Sequence, residues 1–516
     1  MATAAVCGLI AIAVIWGWSA VNWLWLRPKR LERLLREQGF QGNPYRFLFG
    51  DTKLMLNMHK EAHSKPLMAL SHNIALRVLS FEHQTINNYG KNSFIWVGPI
   101  PRVMITDPSQ IKEVSNKIYD FPKPENDPFA LVFQGLVSHE GEKWAKHRKI
   151  LNPAFNLEKL KIMFSTFVDS CSEKMKTWEA MLPEDGTLEM DIYPLLQSLT
   201  LDVISRTAFG GSHEEGRRVF ELVKDQSDLY MKIQQSVFYI PGWWYVPTAT
   251  HRRFRAIERE IRSSLQAMID KREKAMRAGE AAKDDLLGIL LDSNHKEIEG
   301  HGNNKRVGMS HRDVIEECKI FYVAGQETTS VLLGWTMLLL SKHPHWQARA
   351  REEVFQVFGK QQPHFDGLSK LKIVTMILYE VLRLYPPVIM LNRTPHKDMK
   401  LGNLLIPAGV ELSLQLLMVH QDPEIWGDDA KEFNPERFSE GVSKATKNGQ
   451  VAFFPFGWGP RICIGQNFAL VEAKMALSMI LQHFSFEVSP AHDHGPIYMI
   501  TLQPEYGIHV ILQKCK

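Results

Sequence analysis

The chain has 516 residues, of which 45% are hydrophobic and 23% are charged, a composition typical of a globular protein with a large core. Its formal net charge of +4 is too small to indicate a nucleic-acid partner. The five cysteines are widely scattered, without the spacing of a zinc site or a disulfide framework, which predicts a reducing compartment.

The N-terminal segment is apolar enough to cross a membrane. Ala2 to Leu26 has no charged residue and exceeds the roughly 20 residues that a helix needs to span a bilayer. Arg27, Lys29 and Arg30 follow at once, which predicts that the remainder faces the cytosol. A cleaved signal peptide, the alternative, would carry positive charge ahead of a shorter apolar stretch. We predict a membrane anchor over 2–26, a basic, proline-containing hinge over 27–45 and one domain over 46–516.

Strand patterns occur in two short regions of the predicted domain. Residues 93–106 read as a strand pair that is broken at Gly98-Pro99, and residues 404–417 read as a second pair with Pro407-Ala408-Gly409 as its turn. Most of the remaining chain has helical spacing. The sequence therefore predicts a mainly α (α+β) fold with small sheets.

The strongest helical pattern begins at Ser310, a plausible N-cap with Asp313 placed for a capping box. It continues without proline to Lys342 and is strongly apolar in its second half, so this long helix is expected to cross the interior. A further helix, Leu371 to Leu384, is predicted to end before Pro386.

The most informative residues are the ten from Phe456 to Gly465, which we call the cysteine loop. Cys463 stands between glycines, just before an apolar run with helical spacing, and a helix N-terminus favours a thiolate. Phe456 can shield the sulfur, and Arg461 offers a cation for a carboxylate. An isolated cysteine is more often a buried small hydrophobe. Together, however, these residues predict a socket for a flat, anionic, iron-bearing ligand held through sulfur.

The cysteine loop resembles the haem-binding loop of cytochromes P-450, whose pattern is Phe-x-x-Gly-x-Arg-x-Cys-x-Gly. Every fixed position matches: Phe456, Gly459, Arg461, Cys463 and Gly465. The resemblance implies the cytochrome P-450 fold, a large helical domain with small β-sheets. It also implies haem b with Cys463 as its axial thiolate, and electrons from NADPH that arrive through cytochrome P-450 reductase.

A second motif lies midway along the long helix, in Ala324 to Thr329. Glycine costs a helix interior about 1 kcal/mol relative to alanine, so Gly325 is expected to allow close passage over a flat ligand. The ordinary interpretation is a slightly polar buried helix with back-bonded threonines. The motif matches the oxygen-activating helix of the same family, which implies that Glu327 and Thr328 are catalytic and relay protons.

Glu380, Arg383 and Arg437 are predicted to form a buried ionic network. Glu380 and Arg383 share one helix face among apolar neighbours, whereas such a pair is usually an exposed one of little energetic value. A buried carboxylate can be satisfied by two guanidiniums. The resemblance gives the trio a scaffold role, which is to hold the cysteine loop in place.

Trp144 and Arg148 lie four residues apart and therefore on one helix face. They match the family's Trp-x-x-x-Arg helix, which implies contact with the haem carboxylates beside Arg461, although a solvated basic face is the alternative. Complementary charge speeds the encounter of proteins, so a cationic dock for an acidic electron donor is predicted from Lys143, Lys146 and Lys149.

Longer stretches of the chain resemble the plant clan of cytochromes P-450 that contains secologanin synthase: residues 27–31, 202–210, 313–318 and 376–387. That clan implies a membrane-anchored haem-thiolate monooxygenase in the endoplasmic reticulum, single-pass, whose catalytic domain over 46–516 faces the cytosol. Its implied substrates are O2 and a small hydrophobic terpenoid of the iridoid, triterpenoid or gibberellin-like kind.

Family topology also implies substrate contacts, although each of these residues could equally belong to the core. They are Phe129, Val388, Ile389, Leu391 and Ile500. Residues 240–247 form an uncharged aromatic segment that either enters the bilayer interface or forms a buried corner.

Two other functions use the same fold. A reductase-independent peroxide isomerase or dehydratase usually lacks the acid–threonine pair, and a non-catalytic haem-binding protein has no need of a proton relay. Because this chain keeps Glu327 and Thr328, the sequence favours the monooxygenase.

Overall fold

The computed structural model describes residues 2–64, 66–67, 72–125, 128–210, 213–236, 246–279, 284–302, 304 and 306–515. The fold is mainly helical. The longer helices are Ala2–Val21, Arg27–Glu37, Thr52–Ala62, Ser80–Tyr89, Pro108–Asn116, Gly141–Leu151, Leu157–Met181, Tyr193–Phe209, His213–Ser236, Ala249–Arg277, Leu286–Gly300, His311–Lys342, Pro344–Phe358, Lys372–Leu384 and Gln466–His483. Residues 240–245 of the predicted aromatic segment lie outside the described residues.

Within the described residues, short strands form four small sheets beside the helices. In chain order they are β1 (Phe94–Val97), β2 (Ile100–Ile105), β3 (Thr187–Asp191), β4 (Leu391–Arg393), β5 (Met399–Leu401), β6 (Leu404–Ile406), β7 (Glu411–Leu414), β8 (Phe484–Val488), β9 (Pro496–Tyr498), β10 (Leu502–Pro504) and β11 (His509–Lys514). The sheet orders are β1-β2-β7-β4, β3-β11-β8, β9-β10 and β5-β6. The predicted mainly α fold with small sheets is confirmed.

One predicted strand pair is confirmed and the other is wrong. β1 and β2 form an antiparallel hairpin in which Val97 pairs with Ile100, as predicted for residues 93–106. β6 and β7 both exist, but they do not pair with each other: β6 pairs with β5, whereas β7 lies between β2 and β4. All four β7 residues are buried, so the larger sheet gives this strand more burial than a local hairpin would.

The N-terminal helix continues through Pro28 into the predicted hinge. A π-helical turn, Asn22–Leu26, joins the apolar helix to Arg27–Glu37. Proline has no N–H, so it cannot satisfy the carbonyl four residues earlier. Here the Tyr45 hydroxyl donates to that Leu24 carbonyl at 2.7 Å. The stretch Ala5–Glu37 is long and apolar enough to cross a membrane.

The long helix, His311–Lys342, runs through the core as predicted. Ser310 caps it, and the capping box with Asp313 is present. Every residue from Thr329 to Ser341 is buried. The helix Lys372–Leu384 also begins and ends where expected. These two helices carry two of the predicted motifs into the interior.

Candidate active site around Cys463

The cysteine loop folds back so that Cys463 lies against the loop's own start. The Cys463 N–H donates to the Phe456 carbonyl at 2.9 Å, and Phe456 packs partly buried against the core. The loop ends at Gly465, the N-cap of the helix Gln466–His483. Cys463 is accessible to solvent. The backbone is thus tied down while the sulfur is presented.

Two glycines of the cysteine loop lie close to neighbouring atoms. Gly459 has a φ of +72°, and a Cβ there would lie 2.7 Å from the Ser115 carbonyl oxygen, so a side chain would collide with the neighbouring backbone. A Cβ at Gly465 would lie 3.9 Å from the Cys463 sulfur. Any larger residue at position 465 would therefore place its Cβ in van der Waals contact with the sulfur.

Arg461 and Trp144 come together as predicted, with a partner that the sequence did not indicate. Arg461 Nη2 lies 2.6 Å from Glu140 Oε2, and its Nη1 donates to the His139 carbonyl at 3.1 Å. The Arg461 guanidinium lies 4.5 Å from the centre of the Trp144 ring, which is a cation–π contact. Glu140 and Trp144 thus fix the Arg461 cation beside the cysteine loop.

Two more guanidiniums flank the loop. Arg148 Nη1 donates to the Ile462 carbonyl at 2.8 Å. Arg393, on β4, is 6% exposed, and burial together with nearby Arg461 lowers its pKa to about 10. Buried cations that repel one another are stabilised by an anion between them. The region is therefore suited to a ligand with negative groups.

Burial raises the pKa of the Cys463 thiol, while the Gly465 N–H and Arg148 oppose that shift. The sulfur is therefore reachable by small molecules and yet surrounded by protein. The following helix was expected to stabilise the thiolate, but burial of the sulfur opposes that stabilisation. A metal cation bound to the sulfur would supply the remainder.

On the long helix, Thr328 and Gly325 both contact neighbouring groups of the protein itself. Thr328 Oγ1 donates to the Ala324 carbonyl at 2.7 Å, the back-bonded geometry common for threonine. A Cβ on Gly325 would lie 2.8 Å from Ile204 Cδ1, so glycine allows the helix Tyr193–Phe209 to approach closely. The predicted contact of Gly325 with a cofactor stays a prediction.

Glu327 points to a different neighbour from Thr328. Its Oε1 accepts a hydrogen bond from Thr501 Oγ1 at 2.9 Å and another from Gln503 Nε2. Burial raises the pKa of the Glu327 carboxyl. The acid and the alcohol are thus adjacent in sequence, but the acid is held by a C-terminal hairpin.

The Glu380 network forms in the core. Arg383 donates to both Glu380 oxygens, through Nε at 2.8 Å and Nη2 at 2.7 Å, and both side chains are 0% exposed. Arg437 joins less directly: its Nε lies 3.7 Å from Glu380 Oε1, whereas its Nη2 lies 2.8 Å from Asp429 Oδ2. Asp429 is thus a fourth member that the sequence motif did not reveal.

His420 connects this network to the cysteine loop. Its carbonyl accepts from Arg383 Nη1 at 2.6 Å, and its ring Nε2 accepts from the Phe454 N–H at 2.9 Å, two residues before the loop. Burial and nearby Arg383 lower the pKa of His420 to about 3, so the ring stays neutral and able to accept. These contacts are a physical basis for the predicted scaffold role.

The helix Gly141–Leu151 is docked on the start of the long helix by polar side-chain contacts. His147 Nδ1 lies 2.6 Å from Glu317 Oε1, with both side chains 0% exposed, and Lys143 Nζ lies 2.8 Å from Asp313 Oδ1. This docking positions the helix that carries Trp144. The other two lysines of the predicted dock also have partners, Lys146 at the Gly308 carbonyl and Lys149 at Glu297.

His139, His147 and Asp313 place three potential metal ligands within 4.8 Å of one another. Lys143 already pairs with Asp313; although burial opposes the shift, Lys143 and Ser310 lower the pKa of that carboxyl. Burial and the positive neighbours lower the pKa of His139 to about 4. The cluster is therefore charge-balanced by protein groups alone.

The family model for cytochrome P-450 matches residues 63–512. The chain is a cytochrome P-450. It is 58% identical over 509 residues to an 11-oxo-beta-amyrin 30-oxidase from Glycyrrhiza uralensis, covering 98% of this chain and 97% of the relative. It is 56% identical to an 11-oxo-beta-amyrin 30-oxidase from Medicago truncatula, with 98% and 96% covered.

The fold of this cytochrome P-450 is shared with a solved structure of retinoic acid-bound cyanobacterial CYP120A1. The two align with a TM-score of 0.74 and 22% identity, over 86% of this chain and 96% of the other. The predicted P-450 fold is thereby confirmed.

Family membership makes the protein a monooxygenase that uses haem with a cysteine thiolate ligand and electrons from a reductase. The residues present fit that cofactor. Cys463 offers a reachable sulfur, and Arg461 lies close enough to buried Arg393 to lower its pKa, so the two guanidiniums suit the carboxylates of a porphyrin. Arg393 carries no motif of its own, so sequence reasoning missed it.

Four of the five predicted substrate residues of this cytochrome P-450 are partly accessible: Phe129, Val388, Leu391 and Ile500. Ile389 is the exception. Its side chain is 0% exposed and belongs to the hydrophobic core; the substrate contacts of all five residues stay predictions. Phe129 packs against Phe133 with ring centres 4.8 Å apart.

Proposed function

We propose that this cytochrome P-450 oxidises an unactivated carbon of a triterpenoid with O2 and NADPH-derived electrons. The observation that carries the proposal is 58% identity, across 98% of the chain, to a protein named 11-oxo-beta-amyrin 30-oxidase. The retained Glu327 and Thr328 favour this reaction over a reductase-independent peroxide rearrangement. Triterpenoids are the proposed substrates among the terpenoids that the sequence indicated.

The bound haem supplies oxygen activation and one-electron chemistry. Cys463 would hold its iron, and Arg148, Arg461 and Trp144 would hold its carboxylates. The remaining work belongs to the protein, which orients the substrate, excludes water and delivers protons. Because burial raises the pKa of Glu327, its carboxyl can hold a proton nearer neutral pH and pass it toward the Thr328 hydroxyl.

We infer that the enzyme lies in the endoplasmic reticulum membrane with its catalytic domain in the cytosol. Support comes from the N-terminal helix, whose apolar side chains include Ile15 at 63% and Trp16 at 75% exposure; such side chains are stable in lipid. NADPH–cytochrome P-450 reductase is the proposed electron donor. Lys143 and Lys149 remain 49% and 63% exposed, so their charge is available to an acidic surface.

Thr328→Val is expected to reduce product formed per NADPH by about tenfold or more, with the missing electrons appearing as hydrogen peroxide, because the variant keeps shape and loses the hydroxyl. Thr328→Ser, which keeps the hydroxyl, is the matched control and should stay within about twofold. NADPH consumption, peroxide and product are measured together. An unchanged yield in Thr328→Val would show that this hydroxyl delivers no proton.

The substrate is tested with membranes that contain this protein and a plant NADPH–cytochrome P-450 reductase. Beta-amyrin and 11-oxo-beta-amyrin are supplied beside an iridoid acid and a gibberellin precursor, and products are read by mass spectrometry. We expect NADPH-dependent gain of one oxygen on a triterpenoid. Turnover of only the iridoid or the gibberellin precursor would reject the triterpenoid assignment, and turnover of a hydroperoxide without NADPH would reject the monooxygenase.

A further inference from the structure

A C-terminal hairpin donates two hydrogen bonds to the carboxyl of Glu327. Thr501 Oγ1 donates to Glu327 Oε1 at 2.9 Å, and Gln503 Nε2 donates to the same oxygen. Thr501 is 3% exposed, so its hydroxyl bond forms away from bulk water. Neither donor is near Glu327 in sequence, and neither belongs to a family motif noted above.

The hairpin is itself fixed at the residue between the two donors. The Leu502 N–H donates to the Pro387 carbonyl at 3.0 Å, and the Leu502 carbonyl accepts from Trp335 Nε1 at 2.8 Å. Antiparallel pairing of Leu502 with Tyr498 closes the hairpin. Thr501 and Gln503 are therefore presented to Glu327 by a rigid frame.

The same frame carries two segments that were predicted to face the substrate. Ile500 directly precedes Thr501 at the hairpin turn, where the Met499 N–H donates to the Thr501 carbonyl at 3.2 Å. Val388 directly follows Pro387, the residue that accepts from Leu502. Short stretches of backbone thus link the two donors to residues that were predicted to contact the substrate.

Tyr193 and two charged side chains interact with Glu327 over a longer range. Tyr193, 6% exposed, is close enough for Glu327 to raise its pKa, and Lys224 and Asp228 on the helix His213–Ser236 act on Glu327 with opposite signs. Within the part of the chain that the structure describes, Thr501 and Gln503 hydrogen-bond to its carboxylate directly. Two such bonds favour one orientation of the carboxyl and stabilise its ionised form.

We propose that Thr501 and Gln503 are positioning residues, which orient Glu327 for proton delivery. The inference rests on the proposed function, since it assumes that Glu327 delivers protons. Neither residue is required to touch the cofactor or the reacting atoms.

The test compares Thr501→Val, Gln503→Leu and their double variant with Thr501→Ser, which keeps the hydroxyl. In the double variant we expect about threefold to tenfold less product per NADPH, with excess peroxide. Substrate affinity, measured by spectral titration, should stay within about twofold. Thr501→Ser should behave like the parent enzyme, because only the methyl group is lost.

Infrared difference spectroscopy gives a readout apart from turnover. The carboxyl band that disappears in Glu327→Gln identifies this residue. We expect that band to shift in Thr501→Val and in the double variant, and to keep its position in Thr501→Ser. Should the double variant fail to fold, the isosteric Thr501→Val carries the test alone.

An unmoved Glu327 band and an unchanged yield in correctly folded Thr501→Val and Gln503→Leu would overturn the inference. Failure of the proposed function looks different: Glu327→Gln would then keep the parent yield. If Glu327→Gln is impaired and the hairpin variants are not, the relay stands and the positioning role is rejected.

Discussion

Cys463→Ser is expected to abolish the red-shifted Soret band that thiolate-ligated haem shows after reduction and addition of carbon monoxide. Monooxygenase activity should fall at least about a thousandfold, since a neutral hydroxyl cannot replace a thiolate in pushing electron density toward O–O cleavage. The serine fits the space, so the fold should persist.

Cys515→Ser is the matched control, because Cys515 is a partly exposed free cysteine that lies outside the cysteine loop. It should keep both the band and the activity. A Cys463→Ser protein that is loaded with haem and retains the thiolate band would contradict the assignment of the axial ligand.

Glu380→Ala is expected to destabilise the fold by about 3–5 kcal/mol, because it leaves the Arg383 cation buried without a counter-charge. Arg383 is 0% exposed and donates to the His420 carbonyl, so its displacement would loosen the segment that accepts from Phe454. We therefore expect loss of haem-loaded protein as well as a lower denaturation midpoint.

Arg349→Met is the control for that experiment. Arg349 and Glu436 form an ion pair at 3.2 Å whose side chains are 44% and 55% exposed, and exposed pairs contribute about 0–1 kcal/mol. Similar losses in Glu380→Ala and Arg349→Met would contradict a special role for the buried network. Full haem loading of Glu380→Ala would contradict its role as a scaffold.

Local chemistry made part of the structure predictable. The capping box at Ser310, the break at Gly98-Pro99 and the sequence spacing within the cysteine loop are all set by neighbours a few residues apart. The i,i+3 pairing of Glu380 with Arg383 is equally local. For these features the residues that cause the structure are adjacent in the sequence, so a single chain was enough.

Contacts between distant residues were decided by the tertiary structure alone. β7 joined β2 and β4 instead of β6, because a strand buried on both faces gains more from a sheet than from a hairpin. Ile389 turned into the core. Gly325 proved to face Ile204, a contact that helix spacing could not predict.

By itself the sequence determined the family and the position of the acid and the alcohol on one helix, and it predicted the ligand sulfur. Only the tertiary structure determined what holds those groups: Glu140 on Arg461, Asp429 on Arg437, and the hairpin on Glu327. The physical reason is that a buried charge must find a partner, and which partner reaches it depends on how segments far apart in the chain pack against each other.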